Sequence, residues 1–302
     1  MENLHSIVVG VDFSDCSVSA VRQAGRLARR DGAKLVVVHA VTPDFIEQYR
    51  ESFVTPESDI IGKIHEQVSN FARANLGPDA EFDAQVFVGH PFVEMLRAAQ
   101  EYSADLLVLG SHGLTVGSGS AGNLASKCVR KAPLPVLLVR DAHGSGFNKV
   151  VAGVDFSDTS FLALQEAALV AGREGAALEV LHVHCPPWMW VNHYAYDLKA
   201  FPKGDYEQEY RSVLKDQMEA FVSPVRELHP DLEFSTQIIE RESSLQGLND
   251  YLGESSSDLV VIGTRGRSGA KSLLLGTTAE RLLHGSPCSV LTVKPEGFQY
   301  TI

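Results

Sequence analysis

The sequence predicts an α/β protein built from two tandem, open, five-stranded parallel sheets, each with strand order 3-2-1-4-5 and helices on both faces. Three observations carry that expectation. Short β-branched runs alternate with segments of helical period along the whole of a 302-residue chain. The stretch IVVGVDFSD at 7–15 returns as VVAGVDFSD at 150–158, an offset of 143 residues. Two further pairs keep the same order: ADLLVLGSHG (104–113) with SDLVVIGTRG (257–266), and APLPVLLV (132–139) with SPCSVLTV (286–293).

In the first half the runs predict strands over 6–12, 34–40, 83–88, 105–110 and 135–139, with helices over 15–30, 57–76, 91–103 and 122–131 between them. The stretch DAHGSGFNK (141–149), with its Gly and Ser, reads as a linker and puts the boundary near Gly144, giving domains 1–144 and 145–302. The second half repeats the pattern, with strands over 149–155, 177–184, 233–239, 258–263 and 289–293 and helices over 158–174, 207–228, 244–254 and 277–285. It departs from the first after its second strand. There CPPWMWVNHYAYDLKAFPKGDY (185–206) holds Pro186, Pro187 and Pro202, which mark a loop or lid. Its aromatics, Trp188, Trp190, Tyr194 and Tyr196, fit packing over a domain edge better than covering a ligand.

Composition narrows the function. A hydrophobic content of 44% is enough to fill soluble cores, and no apolar run approaches the ~18 residues of a membrane span, so a cytoplasmic protein without a membrane partner is expected. The formal net charge of −12, shared as −4 and −8 between the halves, argues against nucleic acid as a partner. Four cysteines, Cys16, Cys128, Cys185 and Cys288, form no C-x-x-C pair and read as reduced structural thiols.

In a sheet of this order, ligands sit beyond the carboxyl ends of the first and fourth strands, where the strand order reverses. In the second half those ends are Asp155 and Gly263. A carboxylate there can accept from ribose hydroxyls. The loop GTRGRSGAKSLLLGTT can close backbone N–H groups on phosphates at a helix start, with hydroxyls from Thr277 and Thr278 and cations from Arg267 and Lys271. A Gly-rich turn with a capping threonine would account for Gly263 and Gly276 but not for their combination with Asp155.

The spacing G-x-x-G, nine residues, G-[ST] is matched without a gap by Gly263, Gly266, Gly276 and Thr277. With VDFSD, LEVLHVH and SPCSVLTV in order, it resembles the nucleotide motif of the universal stress protein family, over nearly the whole chain except 185–206. The resemblance implies a Rossmann-like fold of the adenine nucleotide alpha hydrolase type and ATP, or another adenine nucleotide, as cofactor. Asp155 would lie near the ribose and adenine, the backbone of Val183 would read the adenine edge, and the phosphates would sit on the loop from Gly263 to Thr278. The expected cofactor-binding set is Val154, Asp155, Ser157, Val183, Gly263, Thr264, Gly266, Arg267, Gly276, Thr277 and Thr278. Mg or Mn on the phosphates would be the ligand's companion, and no protein metal site is expected.

The first half departs from the motif. Only eight residues separate Gly113 from Gly122, Asn123 stands in place of Ser or Thr, and LTVGSGSA holds no cation. Asp12, Ser14, Gly110, Gly113, Gly122 and Asn123 are therefore expected to form a weak or empty site.

Other signals are set aside. GSGSAG (117–122) satisfies G-x-G-x-x-G but begins too far from its strand, and no G-x-x-x-x-G-K-[ST], G-x-S-x-G or H-E-x-x-H is present. His182, His184, Cys185 and His193 could suggest a metal, but histidine on such a strand reads as core or pocket lining. The last strands of the halves would each leave a bare sheet edge; as the resemblance implies, residues near 136–139 and 290–293 should pair as an internal pseudo-dimer, and two chains should then form a homodimer. The expected function is a stress-response or regulatory module acting through nucleotide-dependent assembly, without catalysis. The alternatives are an enzyme, either a slow ATPase or an adenylating relative, which would have to use His112 and Arg265, and a ligand-free structural stress protein.

Overall fold

The computed structural model describes residues 3–53, 55–111, 123–140, 146–189, 205–266, 279, 282–283 and 285–300. The chain divides into two compact units: Met1–Ser145 with Leu283–Gly285 and Ser289–Ile302, and Gly146–Leu282 with Ser286–Cys288.

In the first unit, β1 (Ser6–Gly10), β2 (Lys34–Val41), β3 (Asp83–Val88), β4 (Leu106–Gly110) and β5 (Val136–Val139) run parallel in the order 3-2-1-4-5. The last strand of the chain, β10 (Ser289–Val293), joins them. It runs antiparallel to β5, with Val290 opposite Leu138, Leu291 opposite Leu137 and Thr292 opposite Val136, so the two segments expected to pair do so. Thr292 adds a side-chain bond, its Oγ1 donating to Val136 O at 3.2 Å.

Both faces of this sheet are covered, which is why its strands are continuous apolar runs: Ile7, Val8, Val9, Leu107 and Val108 are wholly buried. Helices α1 (Asp15–Asp31) and α3 (Glu57–Leu76) lie on one side; α4 (Pro91–Glu101) and α5 (Asn123–Lys131) lie on the other. One element was not anticipated, α2 (Pro43–Phe53), whose only buried residue is Ile46.

The second unit repeats the order of the first four strands, while the segment expected as its fifth, 289–293, is β10 and belongs to the first unit. Here β6 (Lys149–Gly153) is flanked by β7 (Ala177–His184) and β9 (Leu259–Gly263), with β8 (Phe234–Glu240) beyond β7, all parallel. Helices α6 (Asp158–Glu174) and α7 (Asp205–Leu228) pack together on one face, while α8 (Ser244–Glu254) packs on β7.

Local chemistry fixes where α1 and α6 begin and end. Ser14 and Ser157 are N-caps, the latter closing a capping box with Ser160, and Gly32 and Gly175 end the helices at φ +67° and +65°. Among the described residues no helix is long and apolar enough to cross a membrane.

Candidate functional site

The repeated VDFSD turn sets the site. In the second unit β6 hands the chain to Val154, Asp155 and Phe156, and Phe156 has φ +62°. A bulky side chain in the left-handed region costs roughly 1–3 kcal/mol and persists only where its surroundings hold it. The Phe156 ring lies 4.3 Å from that of His182 and meets Phe221 edge-on at 5.4 Å. His182 in turn donates from Nδ1 to Val154 O at 2.8 Å; the carbonyl can only accept, so that nitrogen carries the proton. The first unit builds the same device: Phe13 at φ +64°, its ring 4.8 Å from His39, and His39 Nδ1 2.7 Å from Val11 O.

This turn aims the carboxylate. Asp155 Oδ1 accepts from the Ser157 N–H at 3.1 Å and the Ser157 hydroxyl at 2.5 Å. Oδ2 faces the main chain beyond β9, where a Cβ on Gly266 would stand only 2.5 Å from it. Glycine at 266 is thus what lets acid and loop meet. Gly263 has a different reason: its missing Cβ would stand 3.0 Å from Thr159 O and 2.9 Å from Thr159 Cγ2, so it allows β9 to end against the start of α6.

Over these strand ends opens a crevice of about 420 Å³. Its position is where the strand order reverses around β6, and its size suits a small-molecule ligand. Of the expected residues it brings together Val154, Asp155, Val183, Gly263 and Gly266. Ser157 and Thr264 do not line it; Ser157 is spent on the helix cap and the Asp155 carboxylate, and Thr264 is buried. Arg267, Gly276, Thr277 and Thr278 lie outside the described residues, as do Gly113, Gly122, His112, His193, Trp190, Tyr194 and Tyr196.

The crevice also has walls that sequence reasoning missed. Tyr210 and Leu214 come from α7, and Ser244 and Leu248 from α8. None carries a motif. The nearest available signal was the apolar face of each helix, which says that a residue is covered but not by what. Trp188 lies beside this wall, edge-on to Tyr210 at 5.3 Å, with the Arg211 guanidinium 5.4 Å from its ring.

Titration follows burial here. Burial holds His184 below the ordinary imidazole range, and Arg211 pushes the same way against Glu240. Burial also pushes up the Cys185 thiol, aided by Glu242, and the Tyr210 hydroxyl, aided by Tyr206 and Glu240. Each of the three shifts favours the uncharged form of its group. Among the described residues no three His, Cys, Asp or Glu side chains gather as a metal site.

The first unit presents a matching acidic turn with one difference. Asp12 Oδ1 accepts from the hydroxyls of both Ser14, at 2.5 Å, and Ser17, at 2.6 Å. In the second unit Ser160, the counterpart of Ser17, donates instead to Ser157 O at 2.9 Å. Gly110 ends β4 against α1, its missing Cβ 2.8 Å from Cys16 Cβ. Asn123 begins α5.

The sequence model of the universal stress protein family matches residues 3–140 and again 146–294. The chain belongs to that family, as a tandem member. A universal stress protein of Mycolicibacterium smegmatis is 26% identical over 302 residues, which cover 96% of this chain and 97% of its own. A universal stress protein of Mycobacterium tuberculosis is 25% identical with the same coverage. One from Thermus aquaticus is 37% identical over 139 residues, 45% of this chain and 98% of its own length. Among solved structures, a universal stress protein from Archaeoglobus fulgidus superposes with a TM-score of 0.60 at 17% identity, covering 96% of this chain and 98% of its own. A putative one from Pseudomonas aeruginosa gives 0.64 at 16%, covering 98% and 95%. At such identities these structures speak for the fold alone.

Proposed function

We propose that this universal stress protein binds ATP, or another adenine nucleotide, in the crevice of its second unit, and that occupancy regulates its assembly in a stress response without catalysis. The observation that carries this reading is the approach of Asp155 Oδ2 to Gly266 at the strand-order reversal. A carboxylate held there by Ser157 is preorganised to accept from ribose hydroxyls. The loop that leaves Gly266 carries the rest of the glycine motif, Gly276, Thr277 and Thr278, together with Arg267, for the phosphates. Val183 belongs to the lining of the crevice, and its backbone would read the adenine edge. A divalent ion would ride on the phosphate oxygens.

The second unit is favoured over the first because the first glycine loop has neither the full spacing nor a cation. The domains are proposed to divide near Gly144, and two chains to associate as a homodimer in the cytoplasm.

Nucleotide released from freshly purified protein and identified by chromatography, with calorimetric titration of the emptied chain, tests the reading. About one adenylate per chain is expected. No released nucleotide and no heat with any adenylate would overturn it, and two copies would show that the first unit is also occupied.

A further inference from the structure

A second cavity of about 450 Å³ lies in the same unit, between α7 and the carboxyl end of the edge strand β8. His184 and Leu214 belong to the walls of both this cavity and the crevice. Its apolar floor is formed by Leu214 and Ile238, the neighbouring Ile239 being turned to the other face of the strand; its charged lining is Arg211, Lys215 and Arg241 with the single acid Glu240. On a chain of net charge −12 that local excess of positive charge is unusual.

The cations differ in what they already hold. Arg211 is occupied, its Nε and Nη2 donating to the two oxygens of Glu240 at 2.6 and 3.1 Å. Among the described residues, the Arg241 guanidinium hydrogen-bonds only to a main-chain oxygen, Glu240 O at 3.0 Å, and the Lys215 ammonium has neither a hydrogen bond nor an ion pair. His184 adds a third group. It is 8% exposed, and its Nε2 is buried with no hydrogen-bond partner. Its Nδ1 lies 3.5 Å from the Tyr210 hydroxyl; a neutral ring accepting there carries its proton on Nε2. A desolvated donor without an acceptor is a standing cost that an anion would remove.

We propose that this cavity binds a small organic carboxylate, its oxygens taken by Lys215, Arg241 and the Nε2–H of His184 and its short apolar body laid on Leu214 and Ile238. The basic rim selects the charge, and the apolar floor selects an organic anion over an inorganic one. Because His184 and Leu214 also wall the crevice, the occupant bears directly on the neighbouring site.

The test uses the full chain without nucleotide, so that its failure leaves the adenylate reading standing. Isovalerate is titrated against nitrogen-labelled histidine, and the His184 imidazole resonances are followed by NMR, with the neutral isovaleramide as control. A saturable shift with isovalerate, absent with the amide, is expected. The double variant Lys215→Met, Arg241→Met should weaken it roughly tenfold or more, since both charge-assisted contacts are lost. Both side chains are exposed, so the variant should melt as the parent does. A His184→Gln variant keeps an N–H donor and should bind within about threefold of the parent, read by calorimetry, whereas His184→Phe should lose most binding. No saturable shift, equal binding of the amide, or unchanged binding in the double variant would each overturn the proposal.

Discussion

Replacing Gly266 by Ala separates the site from the fold. The Gly266 backbone is outside the positive-φ region, so a side chain brings no conformational strain and only space matters. Its Cβ would stand 2.5 Å from Asp155 Oδ2, and reaching ordinary contact at 3.4 Å requires acid and loop to part by about 0.9 Å. The carboxylate cannot swing away freely, because its other oxygen is tied to the Ser157 N–H and hydroxyl. A displacement of that size breaks a charged hydrogen bond to a ribose hydroxyl, worth about 1.5–3 kcal/mol, so the dissociation constant for ATP should rise roughly 10–150-fold. Folding should be nearly unaffected, since the crevice is open there. Gly263→Ala is the counterpart: its Cβ meets the Thr159 main chain at 3.0 Å in a packed corner, so it should destabilise the fold by roughly 1–3 kcal/mol. Calorimetric ATP titration and thermal melts of both variants read the two effects. A Gly266→Ala protein that binds ATP as tightly as the parent would refute the assignment of the Asp155–Gly266 approach to the ligand.

Asp155→Ala should abolish measurable ATP binding and lower stability by about 1–2 kcal/mol in chemical denaturation, because the Ser157 N–H and hydroxyl lose their acceptor. Gly175→Ala places a Cβ at φ +65° where α6 ends and should cost about 1 kcal/mol of stability while leaving nucleotide binding intact, measured by urea unfolding and calorimetry. His184 titrates below the ordinary imidazole value in the folded chain. The unfolded chain therefore takes up this proton first as pH falls, and stability should decline below about pH 6.5; the decline should be shallower in His184→Gln, as urea unfolding across pH 5–8 would show.

Where an element answers to one dominant force, its residues announce it. The strand around Ile7–Val9 is covered on both sides and reads as an unbroken apolar run, and the G-x-x-G spacing marks a place where main chain must approach closely. Helix α2 escaped because only Ile46 is buried while Phe45 and Phe53 are exposed, leaving no apolar period to detect. The Pro43 at its start was the available sign. The left-handed backbone at Phe13 and Phe156 was invisible for a different reason. Bulky residues are poor candidates for it, and what stabilises them, His39 and His182, arrives from another strand. The crevice walls from α7 and α8 likewise depend on how distant segments pack, not on any local pattern.

The pairing of β10 with β5 ties the order of synthesis to the order of assembly. On a ribosome adding about 5–20 residues per second, roughly 150 residues separate the end of β5 from the start of β10, an interval of roughly 8–30 s. For that time the nascent N-terminal sheet has a bare edge at β5, open to pairing with another chain. Stopping translation after the first repeat would leave the edge bare for good, which makes that fragment a client for chaperones.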